Sequence, residues 1–313
     1  MEILLDVKTL NINFLIKNKQ YPAVSEVDLT IKKNKIVGLV GESGSGKTLT
    51  AKSILGILPE NTIVTFDKFK LLGNTVINNA ELKKTLKLGK DISMIFQDSG
   101  SALNPLMKVG NQIKEVLDIH GIFDRKTRYN KTLSLLQEVG FTKPEEIYRM
   151  FPHELSGGMR QRIMICIALI GEPELIIADE PTTALDTTLQ KQVLSILKQL
   201  IQNKQKSLLI ITHDLGVINE MCDEVYVMYA GKIIEKGSVS QILNEPKHSY
   251  TKALLSALPS LKNKGRDLKY IPFQVPSLKT RLSRPWPYIE LTEKNRELII
   301  NKFPEFMTKE VKR

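Results

Sequence analysis

Residues 41–48 read Gly-Glu-Ser-Gly-Ser-Gly-Lys-Thr, a glycine, four residues, then Gly-Lys-Thr. Those types suit the backbone capture of a polyphosphate. Gly41, Gly44 and Gly46, with Ser43 between them, allow a tight turn that brings amide N–H groups against phosphate oxygens. A helix following the loop aims its positive end at the same anion. Lys47 then reaches the terminal phosphates, and the Thr48 hydroxyl ligates Mg²⁺. Further along, "LIIADEP" sets Asp179 and Glu180 at the end of an apolar run. Such strand ends are where α/β sheets hold ligands. Asp179 fits a partner of the metal through a water, and Glu180 can polarise an attacking water. Taken alone, the pair would equally be an acidic strand cap. His213 in "LLIITHDL" repeats the arrangement on the next apolar run, where a histidine can bond the terminal phosphate. A lone histidine there could also be structural.

The segment "LSGGMRQR" (155–162) adds a second anion site without a lysine. Ser156 can cap the helix that follows, and Gly157 and Gly158 leave amide groups bare beside that cap. Two half-sites in one chain make sense if two such domains dock head to tail, each nucleotide lying between one phosphate loop and the partner's Ser156 loop.

These residues need elements to position them. Residues 1–40 alternate as antiparallel strands and end in the buried run "KIVGLV". A strand, the glycine loop and a helix over "TLTAKSILGIL", closed by Pro59, give the loop its required context. Short strands around a helical "NAELKKTLKL" fill 61–96, ending in the strand "DISMIF". Residues 105–151 read as helical, with breaks at Gly121, Gly140 and Pro144. A helix after Ser156, strands at 175–179 and 207–212, a helix at 187–203 and another after Asp214 complete a mainly parallel sheet wrapped by helices. Prolines punctuate the chain after Gly237, and 244–313 reads as an extension. "YIELTEKNRELIINKF" within it has helical spacing.

Composition narrows the classes. The 313 residues have a formal net charge of +11 and contain two cysteines, Cys166 and Cys222, at no metal-ligand spacing. Both read as core thiols. No apolar run approaches the roughly 18 residues that a membrane span needs. The N-terminal strand pattern is unlike a signal peptide, so a cytoplasmic location is expected. The positive charge admits compositional drift, an anionic inner leaflet or nucleic acid. The lysines are scattered without a basic–aromatic stripe, and nucleic acid ranks last.

These motifs, in this order, resemble the ATPases of ABC transporters over residues ~1–240. The resemblance implies a P-loop NTPase (RecA-like) α/β core in residues 1–243. An antiparallel β subdomain, an inserted α-helical subdomain over about 98–170 and a C-terminal extension over 244–313 accompany it. It makes Gln97 of "SMIFQD" a site and metal-contacting glutamine, Asp186 of "TALD" a nucleotide contact, Glu180 the catalytic glutamate and His213 the switch histidine. An aromatic residue that stacks on adenine is expected upstream; Tyr21 is the candidate and Phe14 the alternative.

"FQDSGSALNP", "ADEPTTALD", "EPKHSYTKALLSALPSL" (245–261) and "YIPFQVPSL" (270–278) are similar to the oligopeptide/dipeptide/nickel import family, with Phe273 where glycine is usual. The pattern resembles the first of that family's two paired ATPases. It implies ATP and Mg²⁺ as cofactors and a second homologous ATPase, two membrane-spanning permeases and an extracellular binding protein as partners. Nickel or a metal chelate is the alternative cargo, and action on nucleic acid the distant one. No cysteines follow Cys222, so no iron–sulfur cluster is expected. Trp286, between prolines, reads as a packing anchor, and 98–110 as the permease contact.

Overall fold

The computed structural model describes residues 2–122, 124–183, 185–256 and 275–283, with Trp286, Glu297 and residues 301–303. In chain order the elements are β1 (Ile3–Ile16), β2 (Lys19–Lys32), β3 (Ile36–Val40), α1 (Lys47–Ile54), β4 (Thr62–Thr65), β5 (Lys68–Leu71), β6 (Asn74–Thr75), α2 (Asn79–Thr85), β7 (Ile92–Ile95) and α3 (Ser99–Ala102). There follow α4 (Val109–Ile119), α5 (Arg125–Glu138), α6 (Pro144–Arg149), α7 (Gly157–Leu169), β8 (Leu175–Asp179), α8 (Thr187–Asn203), β9 (Ser207–Thr212), α9 (Leu215–Met221), β10 (Glu224–Tyr229), β11 (Lys232–Ser238), α10 (Val239–Asn244), α11 (Ser249–Ser256) and α12 (Leu278–Ser283). Two compact units result. Met1–Asp6, Thr30–Val37 and Lys70–Thr212 form the first, and Val7–Leu29, Gly38–Phe69 and His213–Arg313 the second.

In the first unit β7, β8 and β9 run parallel, with Ile92 opposite Leu175 and Leu175 opposite Ser207. Every residue of β8 and β9 is buried. That burial explains runs of apolar residues without alternation, since a parallel sheet is covered on both faces. Helices α4, α5 and α6 pack on one another, and α4 and α5 also pack on α7. Helix α7 buries Ile163, Met164, Ile165, Cys166, Ala168 and Leu169, an almost all-round apolar surface suited to a central helix. Burial pushes the Cys166 thiol well above its ordinary range, and the charge of Glu138 acts in the same direction. It is a core thiol, as its sequence context implied.

The breaks expected at Gly121, Gly140 and Pro144 are present. Pro144 opens α6, where its missing N–H costs nothing. At the end of α5, Gly140 has φ +88°. Its N–H donates to the Gln137 carbonyl at 2.9 Å, and that of Phe141 to the Leu136 carbonyl at 3.1 Å. This is the paired-bond helix stop that favours glycine.

In the second unit β1 and β2 form a hairpin. Lys17 and Asn18 turn it at φ +48° and +59°, the two positive values that match the twist of a two-residue turn. Strand β4 pairs antiparallel with β1, Phe14 facing Thr62. A second hairpin joins β10 to β11 through Ala230 and Gly231 at φ +46° and +88°. Helix α1 departs from expectation. It ends at Ile54 rather than at Pro59, because Gly56 adopts φ +69°. Gly56 N–H bonds the Ser53 carbonyl at 3.1 Å and Ile57 N–H that of Lys52 at 3.0 Å. A glycine stop has overridden an apolar spacing that continues past it. Some of the described C-terminal residues join this unit's core: Tyr250 and Phe303 are buried with Val40, Ile218 and Tyr229, and Trp286 packs against the cluster. The helix expected over "YIELTEKNRELIINKF" lies outside the described residues, save Glu297 and residues 301–303, and so does Phe273. Among the described residues no helix is long and apolar enough to cross a membrane.

A Cβ at Gly140 would meet only ordinary contacts, with Arg162 at 3.5 Å, so the backbone angle alone opposes substitution. Gly140→Ala should lower the unfolding free energy by about 1–2 kcal/mol, and Gly140→Asn by less. Urea denaturation measures this; an alanine variant as stable as the wild type would contradict the helix-stop geometry.

Candidate functional site

The phosphate loop lies in the second unit, where β3 delivers it. A Cβ at Gly41 would sit 2.1 Å from the Met228 carbonyl oxygen, so only glycine fits. Ser45 N–H donates to the Glu42 carbonyl at 3.2 Å, closing a turn whose third residue, Gly44, has φ +77°. Turns of that type require a positive φ there. Lys47 is buried, and its Nζ donates to the carbonyls of Gly41 at 2.7 Å and Glu42 at 2.9 Å. The lysine thus braces the loop it follows. Gly46 precedes α1 without a side-chain cap, so the helix offers its first amides, with half-buried Thr48, to an anion. Ser43 and Gly44 are exposed at the loop's apex. Burial raises the Glu42 carboxyl above its ordinary range, against the opposing charge of Lys47.

The acidic pair lies in the first unit. Asp179 ends β8 as a carboxylate only 3% exposed. Glu180 N–H still follows the sheet, donating to the Ile211 carbonyl at 2.9 Å, but its φ is +46°. For a non-glycine residue that conformation is strained, and such strain gathers at working sites. The Glu180 carboxylate receives Gln97 Nε2 at 3.0 Å and Thr183 Oγ1 at 2.9 Å, both on Oε2. Gln97 and Glu180, 83 positions apart, are therefore brought together. Thr183 was missed by sequence reasoning; its only signal is a hydroxyl residue three places after the glutamate. Asp98, the next residue after Gln97, caps α3 by accepting Gly100 N–H at 2.8 Å. That bond, first among several, holds its carboxyl below the ordinary carboxylate range.

Ser156 caps α7, its Oγ accepting Met159 N–H at 3.3 Å, and is exposed. A Cβ on Gly157 would meet Leu185, and one on Gly158 would meet Leu189, each no closer than 3.5 Å. Packing within this chain therefore does not demand glycine at either position. Asp186 caps α8, its Oδ1 accepting the N–H groups of Thr188 and Leu189 at 3.0 Å each. His213 is exposed just after β9, in the same unit as the loop. Tyr21 on β2 and Phe14 on β1 are each half-buried.

The arrangement is a polyphosphate cradle, a strained glutamate with two positioning partners, and a capped helix start with bare amides. Residues 24–183 match the ABC transporter family, and residues 234–283 match the oligopeptide/dipeptide transporter C-terminal region. The chain belongs to the ABC transporter family. It is 42% identical over 282 residues to the oligopeptide transport ATP-binding protein OppD of Lactococcus lactis, covering 88% of this chain and 82% of that protein. Against the oligopeptide transport ATP-binding protein AppD of Bacillus subtilis it is 44% identical over 278 residues, 88% and 85% of the two chains. Among solved structures, the ATP-binding cassette MJ0796, dimeric and bound to ADP and Pi, matches with a TM-score of 0.65 at 24% identity over 75% of this chain and 98% of its own. The fold is thus that of the α/β P-loop NTPases.

Gly41→Ala should leave a folded protein whose loop is displaced from Met228. We expect ATP affinity to fall at least about tenfold, since misplacement by an ångström costs that much or more. Titration with a fluorescent ATP analogue reads it, and unchanged affinity would contradict the steric argument.

Proposed function

We propose that this chain binds Mg-ATP and hydrolyses it to energise uptake of oligopeptides or dipeptides by an ABC importer. The observation that carries the hydrolytic part is the Glu180 carboxylate, set just past the β8 end at a left-handed φ and held by Gln97 and Thr183. In phosphoryl transfer little is asked of the protein beyond positioning and charge. Glu180 orients the attacking water, and His213 contacts the terminal phosphate. Gly41, Ser43, Gly44, Gly46 and Lys47 hold the phosphates, and Tyr21 stacks on the adenine. Thr48, Asp179 and Gln97 would hold Mg²⁺, a hard cation that prefers oxygen ligands; the buried Asp179 carboxylate fits that need. Bound there, Mg²⁺ would neutralise charge on the phosphate oxygens.

That packing within this chain does not demand glycine at 157 and 158 supports a two-chain site. Ser156, Gly157, Gly158 and Asp186 serve a nucleotide held in the loop of a second, homologous ATPase, so the working unit is a heterodimer. Residues 1–243 constitute the ATPase domain, with its helical subdomain over 98–170, and 244–313 the transporter-specific extension. The relatives named for oligopeptide transport support a peptide cargo; the reading adds two permease partners, an extracellular binding protein and a place on the inner face of the membrane. The permease contact is the 98–110 segment. There Gln112 bonds Asn104 N–H, Asn104 O and Met107 O at 2.8–2.9 Å, and Leu106 stands 88% exposed on the loop so held.

Glu180→Gln should keep ATP affinity in the assembled complex and cut hydrolysis about 10²–10⁴-fold. Steady-state ATPase assays measure it, and intact turnover would remove Glu180 from the role. Leu106→Asp should leave ATP binding unchanged and reduce co-purification with the permease subunits. Recovery of the complete complex at wild-type yield would move the contact elsewhere.

A further inference from the structure

We propose that Arg281, on the C-terminal helix α12, is a positioning residue for the phosphate loop, so that the C-terminal region tunes nucleotide affinity. The inference rests on the reading of residues 41–48 as the nucleotide loop. Its basis is a set of hydrogen bonds spanning the length of the chain. Arg281 is only 5% exposed. Its Nη2 donates to the Gly44 carbonyl at 2.8 Å, across 237 positions of sequence. Nη1 donates to the Ala23 carbonyl at 2.8 Å, and Nε to that of Pro276 at 3.1 Å. One planar guanidinium therefore ties together strand β2, the loop apex and the entry to α12. Its rigid fork makes such a three-way tie possible, where a lysine ammonium on a flexible stem would not hold all three.

The loop's other carbonyls show why Gly44 matters. Those of Gly41 and Glu42 are taken by Lys47. That of Ser45 accepts Gly231 N–H at 2.7 Å, and that of Gly46 accepts Thr50 N–H at 2.9 Å. All of these donors come from the loop's own helix or from the adjoining β10–β11 turn. The Gly44 carbonyl lies at the exposed apex, next to Ser43, and its donor comes from the C-terminal region. In a planar trans peptide the direction of the carbonyl fixes that of the following N–H. Arg281 thereby fixes the Gly44–Ser45 peptide, whose N–H closes the turn onto Glu42.

A second contact from the same region supports this. Tyr250, fully buried, packs against Tyr229 with ring centroids 4.8 Å apart and lies near enough to the loop for the Glu42 charge to act on its phenol. Burial, and then the nearby Glu42 charge, push its phenol well above the ordinary range, so it stays neutral. Val275 adds an apolar backing 3.9 Å from where a Gly44 Cβ would lie. Arg281 and Val275 thus meet the loop at Gly44, and Tyr250 of the same region is buried in the core beside it.

The test uses the full chain assembled with its partner ATPase and membrane subunits. Arg281→Ala should weaken binding of a fluorescent ATP analogue, and raise KM for ATP, about tenfold, with kcat at saturating ATP within about twofold. Amide exchange of the 43–45 segment should quicken. Arg281→Lys should recover part of the affinity, and Lys279→Ala, on the exposed side of α12, should match the wild type. If Arg281→Ala does not fold, Arg281→Lys and Arg281→Gln carry the same comparison. Wild-type affinity and loop exchange in the Arg281 variants, with Lys47→Ala losing nucleotide, would overturn the proposal while leaving the loop assignment standing. Equal falls in kcat, affinity and melting temperature, without rescue by lysine, would reduce Arg281 to packing and also overturn it. Nucleotide binding unaffected by Lys47→Ala would instead refute the loop assignment itself.

Discussion

The charge of a bound triphosphate must be met by donors that cannot retreat from it. In the proposed site those donors are the backbone amides at the start of α1 and, for a nucleotide held in a second chain's loop, those at the start of α7. An amide aims well only if its peptide is held from behind, and the phosphate loop shows how. Lys47 grips two carbonyls, Gly231 and Thr50 each take one, and Arg281 takes the apex. Preorganisation of this kind means that little rearrangement is needed when the anion arrives. The glycines follow from the same demand. Gly41 yields space to the Met228 carbonyl, and Gly44 accepts a backbone angle that side chains resist.

The proposed catalytic side follows the same principle with side chains. Glu180 is strained at its backbone and restrained at its carboxylate, and the two features work together. The left-handed turn takes the residue out of the β8 line while its N–H remains tied to Ile211. Gln97 and Thr183 then fix the carboxylate. A glutamate held through a glutamine at the start of the helical segment can report changes there, since any shift of Gln97 alters the hydrogen bonding of Glu180. The proposed conformational coupling would run through this one hydrogen bond.

Much of this was legible in the sequence because it is local. The glycine loop, the strand-end acids and the Ser156 cap each declare themselves within eight residues. The buried runs of β8 and β9 mark a parallel sheet for the same reason. Helix stops at Gly121 and Gly140 were readable, whereas the stop at Gly56 was not, because apolar spacing continues through Ile57 and Leu58. What stayed hidden is long-range. Nothing near Arg281 announces a partner 237 positions away, and Thr183 is one hydroxyl residue among several in "PTTALD". The core position of Tyr250 also depends on strands that the C-terminal segment meets only in three dimensions.

The central claim is that each nucleotide is shared by two chains, this chain's Ser156 segment facing a triphosphate held in its partner's loop. A photoreactive group on the terminal phosphate of ATP tests it most directly. The complex would carry Lys47→Ala in this chain and an intact partner ATPase, so that only the partner's loop retains its lysine. The account predicts that peptide 155–162 of this chain is still labelled. Loss of that labelling with Lys47→Ala, while the partner still binds ATP, would mean that the nucleotide near Ser156 is the chain's own, and would contradict the shared site.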